Sequence, residues 1–150
     1  MSAFTLRTAR RTDADTIAAL FLDARRAGLP YLPEVHGDDE TYAYIRETVM
    51  AESQVVVADV DGEAVGFVAI DDGWVEHLYV APAWQGRGIG DALLAEAKRR
   101  QPGGLDLYTF AANDRARRFY ETRGFVAVAF GDGSANEEGL PDVRYAWRPA

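Results

Sequence analysis

Cysteine is missing from all 150 residues, which excludes disulfides, thiolate nucleophiles and thiolate metal sites. Histidine is scarce: His36 and His77 are the two present, and no H-x-x-x-H pair exists. Structural or catalytic zinc is therefore not expected, and the chain reads as one that works without a metal. Basic residues are outnumbered, 16 against 24 acidic, for a net charge of −8. That balance argues against general nucleic-acid binding, which needs a cationic surface to neutralise phosphates. No apolar run approaches the roughly 20 residues of a membrane span, and no basic segment with an apolar stretch opens the chain. The expectation is a cytoplasmic protein with no membrane partner. A hydrophobic content of 48% fits a folded chain with its own core, and the length fits one domain over residues 1–150.

What is present alternates between strand and helix periods. Residues 4–8 alternate as an opening strand. Thr12 is placed to cap a helix with Asp13 and Asp15 in its first turn and Ile17, Leu20, Phe21 and Ala24 on one face. Gly28 and Pro30 stop that helix, and residues 28–39 form a loop. A second helix starts at Asp38 or Asp39 and carries Tyr42, Ile45 and Val49 on one side. Residues 55–58 and 65–70 are strands joined at Asp61-Gly62, a strong hairpin signal, and a third strand over 74–80 follows Asp71-Asp72-Gly73. A helix over 88–101 leads to a strand over 105–110, a connection that makes the flanking strands parallel. Asn113 caps a further helix with Ala116, Phe119 and Tyr120 inward, and strands at 125–130 and 143–147 close the chain. The layout is α+β: a mixed, mostly antiparallel sheet of about seven strands with helices on both faces and a central parallel pair.

The stretch between the third strand and its helix is chemically the most informative. Pro82 ends the strand, and Gln85-Gly86-Arg87-Gly88-Ile89-Gly90 opens the helix. Glycines at a helix start cost roughly 1 kcal/mol each relative to alanine. An anion held on bare amides at the positive end of the helix would offset that cost. The phosphate loop of nucleotide hydrolases requires Lys-Ser/Thr after its last glycine, but Asp91-Ala92 stand there. The dinucleotide fingerprint requires G-x-G-x-x-G, but the spacing is G-x-G-x-G. Both phosphate-binding readings fail, and nucleotide phosphotransfer fails with them.

The hexapeptide resembles the Q/R-x-x-G-x-G/A signature of the GNAT family of acetyl-CoA-dependent N-acetyltransferases. The flanking Leu-Tyr-Val-Ala-Pro and Ala-Leu-Leu resemble it too, as does the later block Asn113 to Phe125, similar to N…A..FYE..GF. The resemblance covers almost the whole chain, strongest over 74–125 and weakest before Val55. It implies a single GNAT domain, with acetyl-CoA as cosubstrate entering where the central strands end. Its pyrophosphate would lie on the main chain of Gln85, Gly86, Arg87, Gly88, Ile89 and Gly90. Its pantetheine arm would pair with Leu78 and Val80 like an added strand. Asn113 would hydrogen-bond the arm, and Tyr120 would approach the sulfur and protonate the leaving thiolate as general acid. Read from pattern alone, Asn113 is also a plain helix cap and Tyr120 also a core aromatic.

The acceptor amine must lose a proton before it attacks. Strand alternation places Trp74, Glu76, Leu78 and Val80 on one face, and Val75, His77 and Tyr79 on the other. A carboxylate among apolar neighbours in mid-sheet is either paired or working, which makes Glu76 the candidate base; a water relay, or a salt-bridged or solvent-facing Glu76, are the alternatives. His77 has a suitable intrinsic pKa but lies on the wrong face by this alternation. His36 sits in a loop that could close over the acceptor. Glu34, Asp38, Asp39, Glu40 and Glu47, with Asp132, Glu137, Glu138 and Asp142, give two acidic rims there by the same resemblance, suited to a small cationic amine. The competing reading of the charge is solvated surface, and the competing reading of the whole is an acetyl-CoA-binding sensor or interaction module without transfer. An exposed sheet edge or the closing strands could mediate a homodimer.

Overall fold

The fold is described from a computed structural model over residues 3–149; of the expected span 1–150, Met1, Ser2 and Ala150 lie outside the described residues. The chain opens with β1 (Thr5–Thr8) and α1 (Ala14–Gly28). Then comes α2 (Asp38–Tyr44), prolonged by a π-helical stretch Ile45–Val49 and a last turn Met50–Glu52. Three strands follow, β2 (Gln54–Val60), β3 (Glu63–Asp71) and β4 (Trp74–Val80), then α3 (Ile89–Arg100) and β5 (Leu105–Phe110). Finally α4 (Asp114–Glu121) precedes β6 (Val126–Gly131) and β7 (Asp142–Trp147).

All seven strands form one sheet in the order β1-β2-β3-β4-β5-β7-β6, antiparallel except for β4 against β5. Both tight turns of the central meander use Asp-Gly. Asp61 and Gly62 have φ of 53° and 90°, Asp72 and Gly73 of 47° and 82°, the positive values that a turn matched to strand twist requires. The near-continuous apolar runs of β2 and β3 follow from burial on both faces. On one face Ile17 and Phe21 of α1, with Ile45 and Val49 of the π-helical stretch, pack on Val55, Val57 and Phe67. On the other, Ile89, Leu93 and Leu94 of α3 and Tyr120 of α4 pack on Val56, Val68, Leu105, Leu107 and Tyr145. Each fully buried aliphatic side chain contributes about 1.5–3 kcal/mol to that sandwich.

Two local expectations change. Thr12 does not cap α1: a 3-10 turn over Arg11–Asp13 precedes the helix, because Asp13 turns inward. Its carboxylate accepts from the Arg10 N–H at 2.6 Å and from Arg7 at 2.8 Å, while Arg7 also reaches Asp59 at 2.7 Å. The second change is in β4. Ile70 pairs with Val75 and Ala69 with His77, so Glu76 is an extra residue in a β-bulge. The bulge reverses the alternation. Val75, Leu78 and Val80 all face the α3–α4 core, whereas His77 and Tyr79 face the α1–α2 side. The expected grouping of Val75 with His77 and Tyr79 is thereby overturned, while His77 and Tyr79 keep their expected place opposite Leu78 and Val80. No helix among the described residues is long and apolar enough to cross a membrane.

Candidate active site

A wedge between β4 and β5 organises the site. The two parallel strands share the registered pair Trp74↔Asp106, where the Asp106 N–H donates to the Gly73 carbonyl at 2.9 Å, and they diverge toward their carboxyl ends. On the other side of β4, the Ala81 N–H donates to the Val65 carbonyl at 2.8 Å. By alternation the main-chain groups of Leu78 and Val80 then point into the wedge. Their side chains pack against the core, so main chain is what they offer a ligand. The Val80 carbonyl already accepts from Gln85 Nε2 at 3.1 Å, and Gln85 Oε1 accepts from Arg115 at 3.0 Å. Gln85 thus ties the glycine loop to β4 and α4 and leaves little of its own side chain free.

The loop beyond it is open. Gly86 and Gly88 have φ of 77° and 82°, where a side chain would be strained, and Gly88 is the residue that enters α3. The first main-chain bond of the helix runs from Ala92 N–H to the Gly88 carbonyl at 3.1 Å. The amides ahead of it, from Gly86 to Asp91, have no main-chain acceptor among the described residues and lie at the positive end of the dipole. Gly90 differs from the other two: it is helical, and a Cβ there would touch the Phe119 ring at 3.5 Å. Its smallness serves the α3–α4 contact. Ile89 is 1% exposed, its side chain in the core, so it can bring only its amide. The Arg87 guanidinium lies 4.7 Å from the Trp84 ring centroid. A second feature escaped the sequence reading: a groove of about 510 Å³ beside the loop, lined by Arg115, Arg118, Phe119 and Arg123. The signal was the arginine repeat along α4; Arg115 donates to Gln85, Arg123 is paired with Asp91 at 2.7 Å, and Asp114 also lines the groove.

Asn113 and Tyr120 flank the wedge from α4. Asn113 Oδ1 accepts the Ala116 N–H at 3.1 Å, the expected cap, and its amide nitrogen has no partner among the described residues. Tyr120 is 8% exposed and edge-on to Phe119 and Phe125, at 5.1 and 5.4 Å. Burial, and then the neighbouring Tyr79 phenol, push its pKa well above the ordinary 10, so the hydroxyl keeps its proton as a donor.

Glu76 and His77 stand at the bulge of β4 and next to it. Burial and the nearby Asp71 raise the Glu76 pKa above 4.5, and the carboxylate also acts on Tyr44 of α2. His77 faces the α1–α2 side beside Tyr79, opposite Leu78 and Val80, as the alternation places it. It lines a cavity of about 770 Å³ under α1 and α2, with Tyr44 Oη 2.8 Å from its Nε2 and Phe21 edge-on at 5.3 Å. Burial, and secondarily Arg25, push His77 down to about 4, too weak a base at neutral pH. Tyr79 bridges the two half-sites: burial raises its pKa, and its phenol is near enough to act on both Tyr44 and Tyr120. His36 lies at the cavity rim between Glu137 at 2.8 Å and Glu40 at 3.0 Å, and those two contacts raise its pKa. It thereby joins the loop after α1 to the loop before β7. Among the described residues no three His, Asp or Glu side chains converge as a metal site. The arrangement can hold an anionic group on α3, run an extended arm down the wedge, and meet a second molecule from the cavity.

A family model described as an acetyltransferase (GNAT) domain matches residues 51–127. The peptidyl-lysine N-acetyltransferase YiaC of Escherichia coli (strain K12) is 32% identical over 124 residues, covering 82% of this chain and 84% of that protein. Among solved structures, apo-form YjaB from Escherichia coli superposes with a TM-score of 0.81 at 21% identity, over 99% of each chain. The PaiA N-acetyltransferase from Thermoplasma acidophilum, solved with coenzyme A, gives 0.72 at 17% identity, over 98% of this chain and 99% of that one.

Proposed function

The chain belongs to the GNAT family and is an acetyl-CoA-dependent N-acetyltransferase, and from that premise we propose that it acetylates a primary amine by direct attack in a ternary complex. The observation that carries this reading is the wedge itself. The bare amides of Gly86 to Gly90 follow β4 at one end of it, and on the α1–α2 face of the same strand lies the cavity of about 770 Å³ that His77 lines. Those amides, with the Arg115–Arg118–Arg123 wall beside them, hold the phosphates. Leu78 and Val80 take the pantetheine arm on their main chain, and the free amide nitrogen of Asn113 donates to it.

The amine approaches from the cavity side of β4. Glu76, its pKa raised by burial, takes the proton that the nitrogen must lose, directly or through water. The nitrogen bonds to the acetyl carbonyl carbon, the carbon–sulfur bond breaks, and Tyr120 gives its proton to the departing sulfur. The phenol suits that task because burial keeps it protonated, and Tyr79 fills the space between donor and acceptor sides. No metal enters any step. The single domain over 1–150 and a cytoplasmic location belong to the same reading.

The test is release of free coenzyme A thiol from acetyl-CoA across a panel of primary amines. Amine-dependent release, lowered about 100-fold in Tyr120→Phe with acetyl-CoA affinity intact, supports the scheme. Tight acetyl-CoA binding without release for any amine would make the chain a binding module instead.

A further inference from the structure

The acceptor cavity holds more negative charge than its bases neutralise. Arg26 is occupied by Glu34 at 2.6 Å and Asp38 at 2.5 Å, His36 by Glu137 and Glu40, and Arg25 faces Glu138 at 3.8 Å. Glu47 also lines the cavity, and among the described residues it has neither an ion pair nor a side-chain hydrogen bond. It comes from the π-helical stretch Ile45–Val49, whose extra residue per turn alters which side chains face inward.

At the cavity wall stands the Tyr44–His77 pair. His77 is hemmed in by Phe21, Phe67 and Tyr79 and is neutral near pH 7. Its Nε2 and the Tyr44 hydroxyl share a hydrogen bond whose donor is set by the imidazole tautomer, and in either tautomer the phenol oxygen keeps a lone pair for a donor in the cavity. Beside burial, three carboxylates act on that hydroxyl: Glu76, Glu137 and Glu52. An N–H donor bearing positive charge gains from the field as well as from the hydrogen bond; a carboxylate would be repelled.

We infer that Tyr44, oriented by His77, and Glu47 recognise a protonated nitrogen of the acceptor, so that the acceptor is a slender aliphatic amine with a second cationic nitrogen, an α,ω-diamine in its simplest form. The inference rests on the acetyl-transfer reading above. The reacting nitrogen gives its proton to Glu76 and is neutral when it attacks, so the charge that the field around Tyr44 holds throughout the transfer is that of a second nitrogen. His77 precedes Leu78 and Val80 on β4 by one and three residues, roughly 3 to 10 Å at the rise of a strand. An extended chain of several carbons spans that distance.

Thiol release is compared for 1,5-diaminopentane, 1-aminopentane and 6-aminohexanoate, in the wild type, Tyr44→Phe and Glu47→Gln. In parallel, 1,5-diaminopentane is titrated calorimetrically into the enzyme–coenzyme A complex, which reads the subsite without turnover. The wild type should favour the diamine over the monoamine about tenfold or more in kcat/KM, with the carboxylate-bearing amine poorest. Tyr44→Phe should remove most of that preference through KM for the diamine, with acetyl-CoA affinity unchanged. Equal rates for diamine and monoamine in the wild type, or a preference that survives both substitutions, overturn the inference while transfer stands. Absence of titration heat overturns it too. Absence of thiol release with every amine overturns the transfer reading, and diamine binding abolished by Tyr44→Phe would still support the subsite.

Discussion

Trp74 faces Asp106 in the registered pair that joins β4 to β5, and the strands part from that point. The pair is fixed from several sides. Trp74 is stacked on Tyr108 at 5.5 Å, with the Arg144 guanidinium 5.0 Å from its ring centroid. The Asp106 carboxylate is held by Arg144 and by Arg148, each at 2.6 Å. The wedge proposed to admit the acetyl donor therefore has a pinned apex.

Asp106→Asn should loosen it. The side chain is nearly buried, and the substitution leaves two arginines facing a neutral amide, a loss of about 2 kcal/mol given their partial exposure. Burial raises the Asp106 pKa, but the hydrogen bonds from Arg144 and Arg148 outweigh it, so the net value falls below 3.8. A carboxylate lowered in this way stabilises the fold above its unfolded pKa, and the contribution disappears as pH falls through the folded value. Urea midpoints should therefore drop less for the variant than for the wild type as pH goes from 5 to about 2.

Tyr120→Phe should lower kcat about 100-fold while acetyl-CoA affinity holds, because the hydroxyl acts on the departing sulfur and not on the bound donor. Single-turnover and equilibrium titration separate the two. A collapse of affinity would make the ring a packing residue among Phe119 and Phe125.

Glu76→Gln should change the shape of the pH profile as well as its height. Glu76 works as a base only when ionised, and burial with Asp71 nearby raises its pKa, so wild-type kcat should climb with pH through a midpoint above 4.5. The glutamine variant should lack that limb. Persistence of the limb would assign the proton to a water relay with another terminus.

Gly88→Ala and Gly90→Ala should part company. At φ of 82° an alanine at position 88 costs about 1–2 kcal/mol and disturbs the amides ahead of the helix, so acetyl-CoA affinity should fall. At position 90 the helical backbone accepts alanine, its Cβ meets Phe119 at an ordinary 3.5 Å, and affinity should hold. Thermal melts and donor titrations of the two variants decide it.

The element order, both Asp-Gly turns and the parallel centre of the sheet were legible because each rests on local chemistry: turn residues, period and breakers. The glycine loop was legible for the same reason, although sequence could not tell that Gly90 packs against Phe119 while Gly86 and Gly88 turn the chain. What stayed hidden was non-local. The bulge at Glu76 depends on the register between β3 and β4, and one extra residue moved Val75 onto the face of Leu78 and Val80, while His77 stayed beside Tyr79 where alternation placed it. Asp13 was hidden likewise, since its pull toward Arg7 crosses from helix to sheet and displaces the expected cap at Thr12. The Tyr44–His77 contact joins residues 33 positions apart, from a helix with a π-helical continuation that no periodicity announces.

The central claim, that the amides of positions 86 to 90 hold the diphosphate of the donor, is tested most directly by titrating coenzyme A into ¹⁵N-labelled protein and following backbone amide shifts. The account predicts that Gly86, Arg87, Gly88, Ile89 and Gly90 move together and saturate with the binding isotherm, with Leu78 and Val80 following. Saturable binding that leaves those five amides in place and moves others would contradict it.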